Sequence, residues 1–249
     1  MWDYDSDGTY DFITSNPIQG QNPQHTYSNP GQYLATLTTI DVNGCSNSST
    51  QTVIVYESPN AYFIVPNTCS GSGSVINNYT NPGDANIISW DWSFSNGTPS
   101  SSNIQNPSGI YFYPNCDEFQ NPSLQETFTI NLTVIDSNQC TSQFDTTTTV
   151  FCQPHANALV TNGTCLGQIT EFTNISSPIS NMNFSWDFGD GNSTTSTDST
   201  NIIFHEYSSC STFSVNLYVS DDGNFCTDDT TIFVTIHCPP TASFLADPV

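Results

Sequence analysis

Four aspartates near the start of the chain have the spacing of a cation loop: Asp3-x-Asp5-x-Asp7-Gly8-x-x-Asp11. Oxygen ligands at alternate positions, with a glycine at the sharp turn, can wrap a hard cation such as calcium. The stretch departs from a helix–loop–helix site, because Thr14 stands where the closing Glu would fall and no helical periodicity flanks it. Two readings stay open. Either Asp3, Asp5, Asp7 and Asp11 hold calcium, or they form a stretched Asp-Gly turn with no metal. Repulsion among four carboxylates without a local cation is the argument for calcium. Asp187 and Asp190 are too thinly spaced for a cage and read as turn formers.

The remaining chemistry is sparse. His25 and His205 occupy matched positions in two repeats, which suits a structural hydrogen bond better than catalysis. Cys152-x-x-His155 and His237-Cys238 lack a second pair at zinc-ligand spacing. No GxSxG elbow accompanies the many serines. Asp221-Asp222 and Asp228-Asp229 flank a hairpin and read as solvated turn charges rather than a glycosidase pair. The expectation is a chain that is not an enzyme. Trp2, Trp90 and Trp186 share one frame position and read as core packing. Trp92 follows Trp90 by two residues and shares its strand face, so it either deepens the core or offers a platform for sugar stacking.

These side chains must be positioned by strands. The frame Phe213, Val215, Leu217, Val219, Asp221 recurs as Phe128, Ile130, Leu132, Val134, Asp136, and more weakly as Tyr33, Ala35, Leu37, Thr39, Asp41. Period-two alternation ending in Asp is a half-buried strand running into a turn. A cysteine follows each Asp (Cys45, Cys140, Cys226), and a Trp-Asp pair precedes each strand. The tryptophans recur about every 90 residues, a spacing suited to whole small domains. Short Thr/Val/Ile/Phe strands separated by Gly, Asn, Pro and Asp predict an all-β chain of tandem immunoglobulin-like sandwiches arranged end to end. Each full copy should be about 35–40 Å long at ~3.3 Å per strand residue.

Composition narrows the partners. The 249 residues include 23 acidic side chains and no lysine or arginine, for a formal charge of −23. Nothing in such a chain can displace nucleic-acid counterions or attach it directly to an anionic membrane surface. No apolar run is long enough to insert into a bilayer. Nine cysteines spread along the chain point to disulfides and an oxidising compartment. No signal peptide is recognisable, so the expectation is a segment of a longer exported protein.

Trp186-Asp187-Phe188-Gly189-Asp190-Gly191, His205-Glu206-Tyr207 and the Phe213 strand with Asp221 and Gly223 resemble a PKD domain. The first copy keeps Asn22-Pro23, His25-Thr26-Tyr27 and Pro30-Gly31-x-Tyr33, similar to the same family's pattern. The middle copy departs: Trp90-Asp91-Trp92-Ser93-Phe94 replaces the glycine-rich turn, and Tyr111 and Tyr113 stand where the His-x-Tyr residues would fall. The resemblance implies PKD-type sandwiches over nearly the whole chain: 1–58 without its first strands, 59–153, 154–239, and the opening strand of a further domain at 240–249. The cysteine positions and Asn43-Gly44-Cys45 resemble domains of large exported adhesins of gliding bacteria.

The first copy also suggests a disulfide pattern. It keeps Cys45 but has no match for Cys116 or Cys152, and partners tend to vanish together. That pairs Cys116 with Cys152 and Cys210 with Cys238. By remainder Cys69 pairs with Cys140 and Cys165 with Cys226, with an inter-domain staple from Cys69 to Cys226 as the rival.

The leading functional expectation is a non-catalytic stalk or fibre segment of a large secreted or cell-surface adhesin, located outside a bacterial cell. Neighbouring domains of the same chain are its main partners, with identical chains or surface glycans as further ones. One alternative is a carbohydrate-binding accessory array of a secreted hydrolase, with Trp92 as the sugar-stacking residue. The other is a strand-exchanging subunit of an extracellular appendage.

Overall fold

The computed structural model describes residues 1–117, 120, 123–162, 165–178, 180–197, 202–221, 223 and 225–245. Strand pairing divides them into three units. The first contains β1 (Trp2–Asp3), the short helix α1 (Pro17–Gln21), β2 (Gly31–Ile40) and β3 (Ser46–Val55). Its strands form one antiparallel sheet in the order β1-β2-β3. Ala35 and Tyr4 are buried, whereas Tyr33, Leu37, Val53 and Val55 on the same apolar frame are only half-buried.

The second unit runs through β4 (Phe63–Ile64), β5 (Thr68–Cys69), β6 (Asn77–Asn78), β7 (Ile87–Phe94), β8 (Ser101–Ser102), β9 (Gln125–Asp136) and β10 (Thr141–Phe151). Its large sheet has the order β5-β10-β9-β7-β8, and β4-β6 lies in a second, smaller sheet. Phe128, Ile130, Leu132 and Val134 of β9 are all buried, as the alternation requires. They pack with Phe63, Trp92, Phe94, Ile110, Phe112 and Val150 in one core.

The third unit contains β11 (Ala158–Asn162), β12 (Ile169–Asn174), β13 (Met182–Asp187), β14 (Ser193–Thr197), β15 (Ile202–Glu206), β16 (Thr212–Asp221) and β17 (Thr227–Thr235). Two sheets, β14-β13-β16-β17 and β11-β12-β15, enclose a core of Phe172, Phe184, Trp186, Phe188, Tyr207, Val215, Leu217 and Val219. Leu124 and Cys152, from the end of the second unit, join this third core. Of the strand expected at 240–249, residues 240–245 pair with no strand among the described residues, and 246–249 lie outside the described residues.

Strand register corrects the frame of the middle copy. Trp2 faces Leu37 and Trp186 faces Leu217. In the second unit the residue facing Leu132 is Trp92, while Trp90 faces Val134. The motif tryptophan is therefore Trp92. It is 0% exposed, and its indole N–H donates to the Ile104 carbonyl at 3.0 Å. A ring enclosed in this way cannot stack on a sugar, so of the two readings of Trp92 the core one holds. The inward residues replacing His-x-Tyr are likewise Ile110 and Phe112, both buried, and not the exposed Tyr111 and Tyr113.

Candidate functional site

The motif residues of the third unit form an aromatic ladder between its sheets. The His205 ring stacks on Phe188 at 4.0 Å, Tyr207 meets His205 edge-on at 4.6 Å, and Phe213 stacks on Tyr207 at 4.2 Å. The first unit repeats the series as Tyr4, His25, Tyr27 and Tyr33, with centroids 4.1, 4.5 and 4.2 Å apart. Aromatic pairs at these distances add to the stabilisation that area burial alone gives. The tyrosine hydroxyls tie the turn down: Tyr207 donates to the Phe188 carbonyl at 3.1 Å, and Tyr27 to the Tyr4 carbonyl at 3.0 Å. Burial, followed by the nearby Asp190 charge, pushes the Tyr207 phenol far above its ordinary range. Gly189 is required at the turn, because φ is +75° and a Cβ would stand 2.4 Å from the Ser214 carbonyl oxygen.

His205 Nε2 lies 2.8 Å from Asp190 Oδ2, and both side chains are largely buried. His205 thus makes the structural hydrogen bond expected of both matched histidines, whereas His25 stacks on Tyr4 and meets Tyr27 edge-on. Burial pushes the Asp190 carboxyl up. Hydrogen bonds with His205 and with the Asn192 backbone and side chain, together with the charge on His205, outweigh burial and hold it below its ordinary value. A carboxyl lowered in the folded state stabilises above its unfolded pKa and loses that contribution as pH falls through the folded value. The melting temperature of the third unit should therefore drop as pH falls below about 4. Asp190→Asn should flatten that acid limb in melts recorded across it. An identical acid limb in wild type and variant would show that Asp190 carries none of it.

The acidic loop assembles three of its four aspartates. One carboxylate oxygen each from Asp3, Asp5 and Asp11 lies within 4.8 Å of the others. Backbone geometry holds them: Asp3 accepts from the N–H groups of Ser6 at 2.7 Å and Gly8 at 3.2 Å, and Asp11 from that of Tyr4 at 2.7 Å. Asp7 stands apart from the cluster. It accepts from the Thr9 hydroxyl and, at 2.7 Å, from the Thr9 N–H, and those bonds lower its pKa. The expectation that Asp7 joins Asp3, Asp5 and Asp11 is corrected on that ground.

The cysteines define the junction between the second and third units. Cys116 is bonded to Cys152, Cys210 to Cys238, and Cys69 to Cys226. The expected pairs Cys69–Cys140 and Cys165–Cys226 do not form. Cys69 lies at the end of β5 beside the terminus of β10, while Cys140 follows the hairpin Asp at the other end of the same sheet. The third unit instead docks its own β16–β17 hairpin against the Cys69 pole. Phe151 and Phe225 stack there at 4.9 Å with an interplanar angle of 5°. The Gln153 amide donates to the Thr227 carbonyl at 2.7 Å.

The third unit's own contacts also correct the reading of the hairpin charges. Asp228 is half-buried and accepts from the Ala156 N–H of its own unit at 2.8 Å, with His155 Nδ1 3.5 Å away. Asp221 is buried, accepts from the Phe225 N–H at 2.8 Å, and keeps its second oxygen without a hydrogen-bond partner among the described residues. Asp229 is exposed and accepts from the Asn216 amide. Asp222 lies outside the described residues. Sequence reasoning missed Phe151, Phe225 and Gln153, whose only prior signal was their position next to cysteines.

A family model described as "PKD domain" matches residues 1–55 and 151–236, more than half of the chain. Among solved structures, the chain is similar to the PKD1 domain from the Vibrio cholerae metalloprotease PrtV. Identity is 22% over 38% of this chain and 99% of that one, with a TM-score of 0.29. It is also similar to the PKD1 domain of Vibrio anguillarum Epp, at 24% identity over 35% and 96% of the two chains, with a TM-score of 0.30. The fibronectin(III)-like modules of Clostridium thermocellum CbhA align at 7% identity over 75% of this chain and 100% of theirs, with a TM-score of 0.38. The middle unit, in which Trp92-Ser93-Phe94 at the end of β7 departs from the pattern, falls outside the family match, and the two flanking matches repeat the ladder Tyr4–His25–Tyr27 as Phe188–His205–Tyr207. The chain belongs to the PKD domain family.

Proposed function

We propose that this chain is a non-catalytic structural segment of an extracellular stalk or fibre, of the kind that carries an adhesin at a bacterial cell surface. The observation that supports this most is the disulfide between Cys69 and Cys226, which joins two neighbouring domains pole to pole. A covalent staple beside stacked rings restricts the hinge that a short linker would otherwise leave free, and that is useful in a rod. Disulfides fit an oxidising, extracellular setting. The formal charge of −23 makes successive domains repel and favours an extended, soluble form. The lack of lysine and arginine also leaves trypsin-like proteases no cleavage site. Small-angle scattering of the chain should give an elongated particle, and a compact globule would overturn the stalk reading. The burial of Trp92 takes away the residue on which the carbohydrate-binding alternative rested.

Calcium belongs to the same proposal, held by Asp3, Asp5 and Asp11 with Asp7 outside the cluster. Their mutual approach suits a cation that takes several oxygen ligands. Removing calcium should speed hydrogen exchange over residues 1–58 and leave 154–239 unchanged, because Asp187 and Asp190 bind their own turn and His205. Equal sensitivity of both regions to a chelator, or none in either, would reduce the loop to a turn.

A further inference from the structure

Three cysteines have no disulfide: Cys45 and Cys165, both exposed, and Cys140, half-buried. Each stands in the place of a cysteine that is bonded elsewhere in the chain. Cys69 pairs in parallel with Phe151, the residue before Cys152. Cys165 pairs in parallel with His237, the residue before Cys238. Cys152 and Cys238 each close a bond inside their own domain. Cys165 is thus the third unit's counterpart of Cys69.

The hairpin cysteines match in the same way. The Cys45 N–H donates to Asp41 Oδ1 at 2.8 Å and its carbonyl accepts from the Asp41 N–H at 2.9 Å. Cys140 does the same with Asp136, at 2.8 and 3.0 Å. The Cys226 carbonyl accepts from the Asp221 N–H at 3.1 Å in a hairpin one residue longer. Cys45 and Cys140 are counterparts of Cys226.

We propose that these three cysteines are halves of the staple seen between Cys69 and Cys226, so that every junction of the array is locked by the same bond. Cys165 takes the hairpin cysteine of another PKD-type domain seated on the free pole of the third unit. Cys140 and Cys45 each take a cysteine of the Cys69 type from the domain on their N-terminal side. That cysteine precedes the core tryptophan by 23 positions in the second unit (Cys69 to Trp92) and by 21 in the third (Cys165 to Trp186). In this frame the partner of Cys140 belongs 21 to 23 positions before Trp2. The docking surface is the one already seen, with His237 in the place of Phe151.

Closing each staple oxidises two thiols by two electrons, with an exchangeable disulfide of a thiol oxidoreductase as the acceptor. One cysteine thiolate attacks that disulfide and expels an oxidoreductase thiolate. The facing cysteine thiolate then attacks the mixed disulfide and releases the second. The oxidoreductase leaves as its dithiol, having taken up the two electrons and the two protons.

Peptide mapping of the protein containing this chain, recovered with iodoacetamide present and kept unreduced, tests the proposal. Pepsin replaces trypsin, because the chain offers no lysine or arginine. The expected result is loss of carbamidomethyl signal at Cys45, Cys140 and Cys165. Cys165 should be linked to a peptide of the Asp-x-x-x-Cys hairpin type, and Cys45 and Cys140 to peptides of the Cys69 type. Alkylated Cys165 as the main species, or a Cys140–Cys165 bond within one chain, would overturn it. The staple rule rests on the tandem domains and not on the stalk. Linked peptides from a protein that scatters as a compact globule would keep the rule and end the stalk reading, and free thiols in an extended particle would do the reverse.

Discussion

Replacing Cys69 and Cys226 together by serine is expected to cost about 4–5 kcal/mol at the junction of the second and third units and to separate their melting transitions. The cost follows from loop length. In the chain-entropy account a 15-residue loop is worth about 3 kcal/mol and a 100-residue loop about 4.7. The staple spans 157 positions, against 36 for Cys116–Cys152 and 28 for Cys210–Cys238. It also fixes one domain relative to another, whereas the other two act within a domain. In the double variant the Phe151–Phe225 stack and the Gln153–Thr227 bond remain, so the docked state persists as an equilibrium that no covalent bond enforces. Calorimetry should then resolve two transitions where the parent is expected to melt in a coupled way, and scattering should report a hinge. Cys116→Ser with Cys152→Ser serves as the comparison, since it should lower only the second unit and the packing it shares with the third. A single transition retained at the parent temperature in the staple variant would mean that the noncovalent junction alone holds the domains.

The second large effect is at Trp92. Its ring lies edge-on to Phe63 at 4.8 Å and stacks with Phe94 at 6.3 Å, and its N–H satisfies the Ile104 carbonyl. Trp92→Ala should cost about 3–5 kcal/mol, the usual range for emptying a buried tryptophan site. A single domain is stable by only about 5–15 kcal/mol, so much of the second unit's margin disappears. Trp92→Phe keeps most of the packing and removes the indole donor, which should cost about 0.5–1.5 kcal/mol for the lost hydrogen bond to the exposed Ile104. Urea unfolding of the two variants, followed by signals from the second unit, separates the contributions. Full stability in Trp92→Ala would mean that the ring lies outside the core and would reopen the sugar-stacking role.

Trp92 also shows where local pattern stops being informative. Residues two apart on a strand share a face, so alternation cannot distinguish Trp90 from Trp92 as the motif residue. Only the register of β7 on β9 decides, and it sets Trp92 opposite Leu132, as Trp186 is set opposite Leu217. A one-residue shift, which turns the other face of the segment inward, exchanges the expected Tyr111 and Tyr113 for Ile110 and Phe112. The acidic loop behaves similarly. Spacing treats its four aspartates alike, but Asp7 turns to Thr9 because a hydroxyl and an N–H two residues away are already in reach.

The sequence by itself determined the all-β class, the three-fold strand frame, the buried faces of β9 and β16, and the His205 position beside its turn. These follow from periodicity and local turn chemistry, which act over a few residues and are written in residue order. Tertiary structure decided the partner of Cys69, the burial of Trp92 and Asp221, and the departure of Asp7 from the carboxylate cluster. The disulfide is the plainest case. Cysteine spacing counts positions along one chain, whereas bonding depends on which poles meet. That meeting is made by Phe151 against Phe225 and by Gln153 with Thr227, contacts between residues more than 70 positions apart. No local pattern encodes an approach over that distance, because it arises only when two folded domains bury each other's ends.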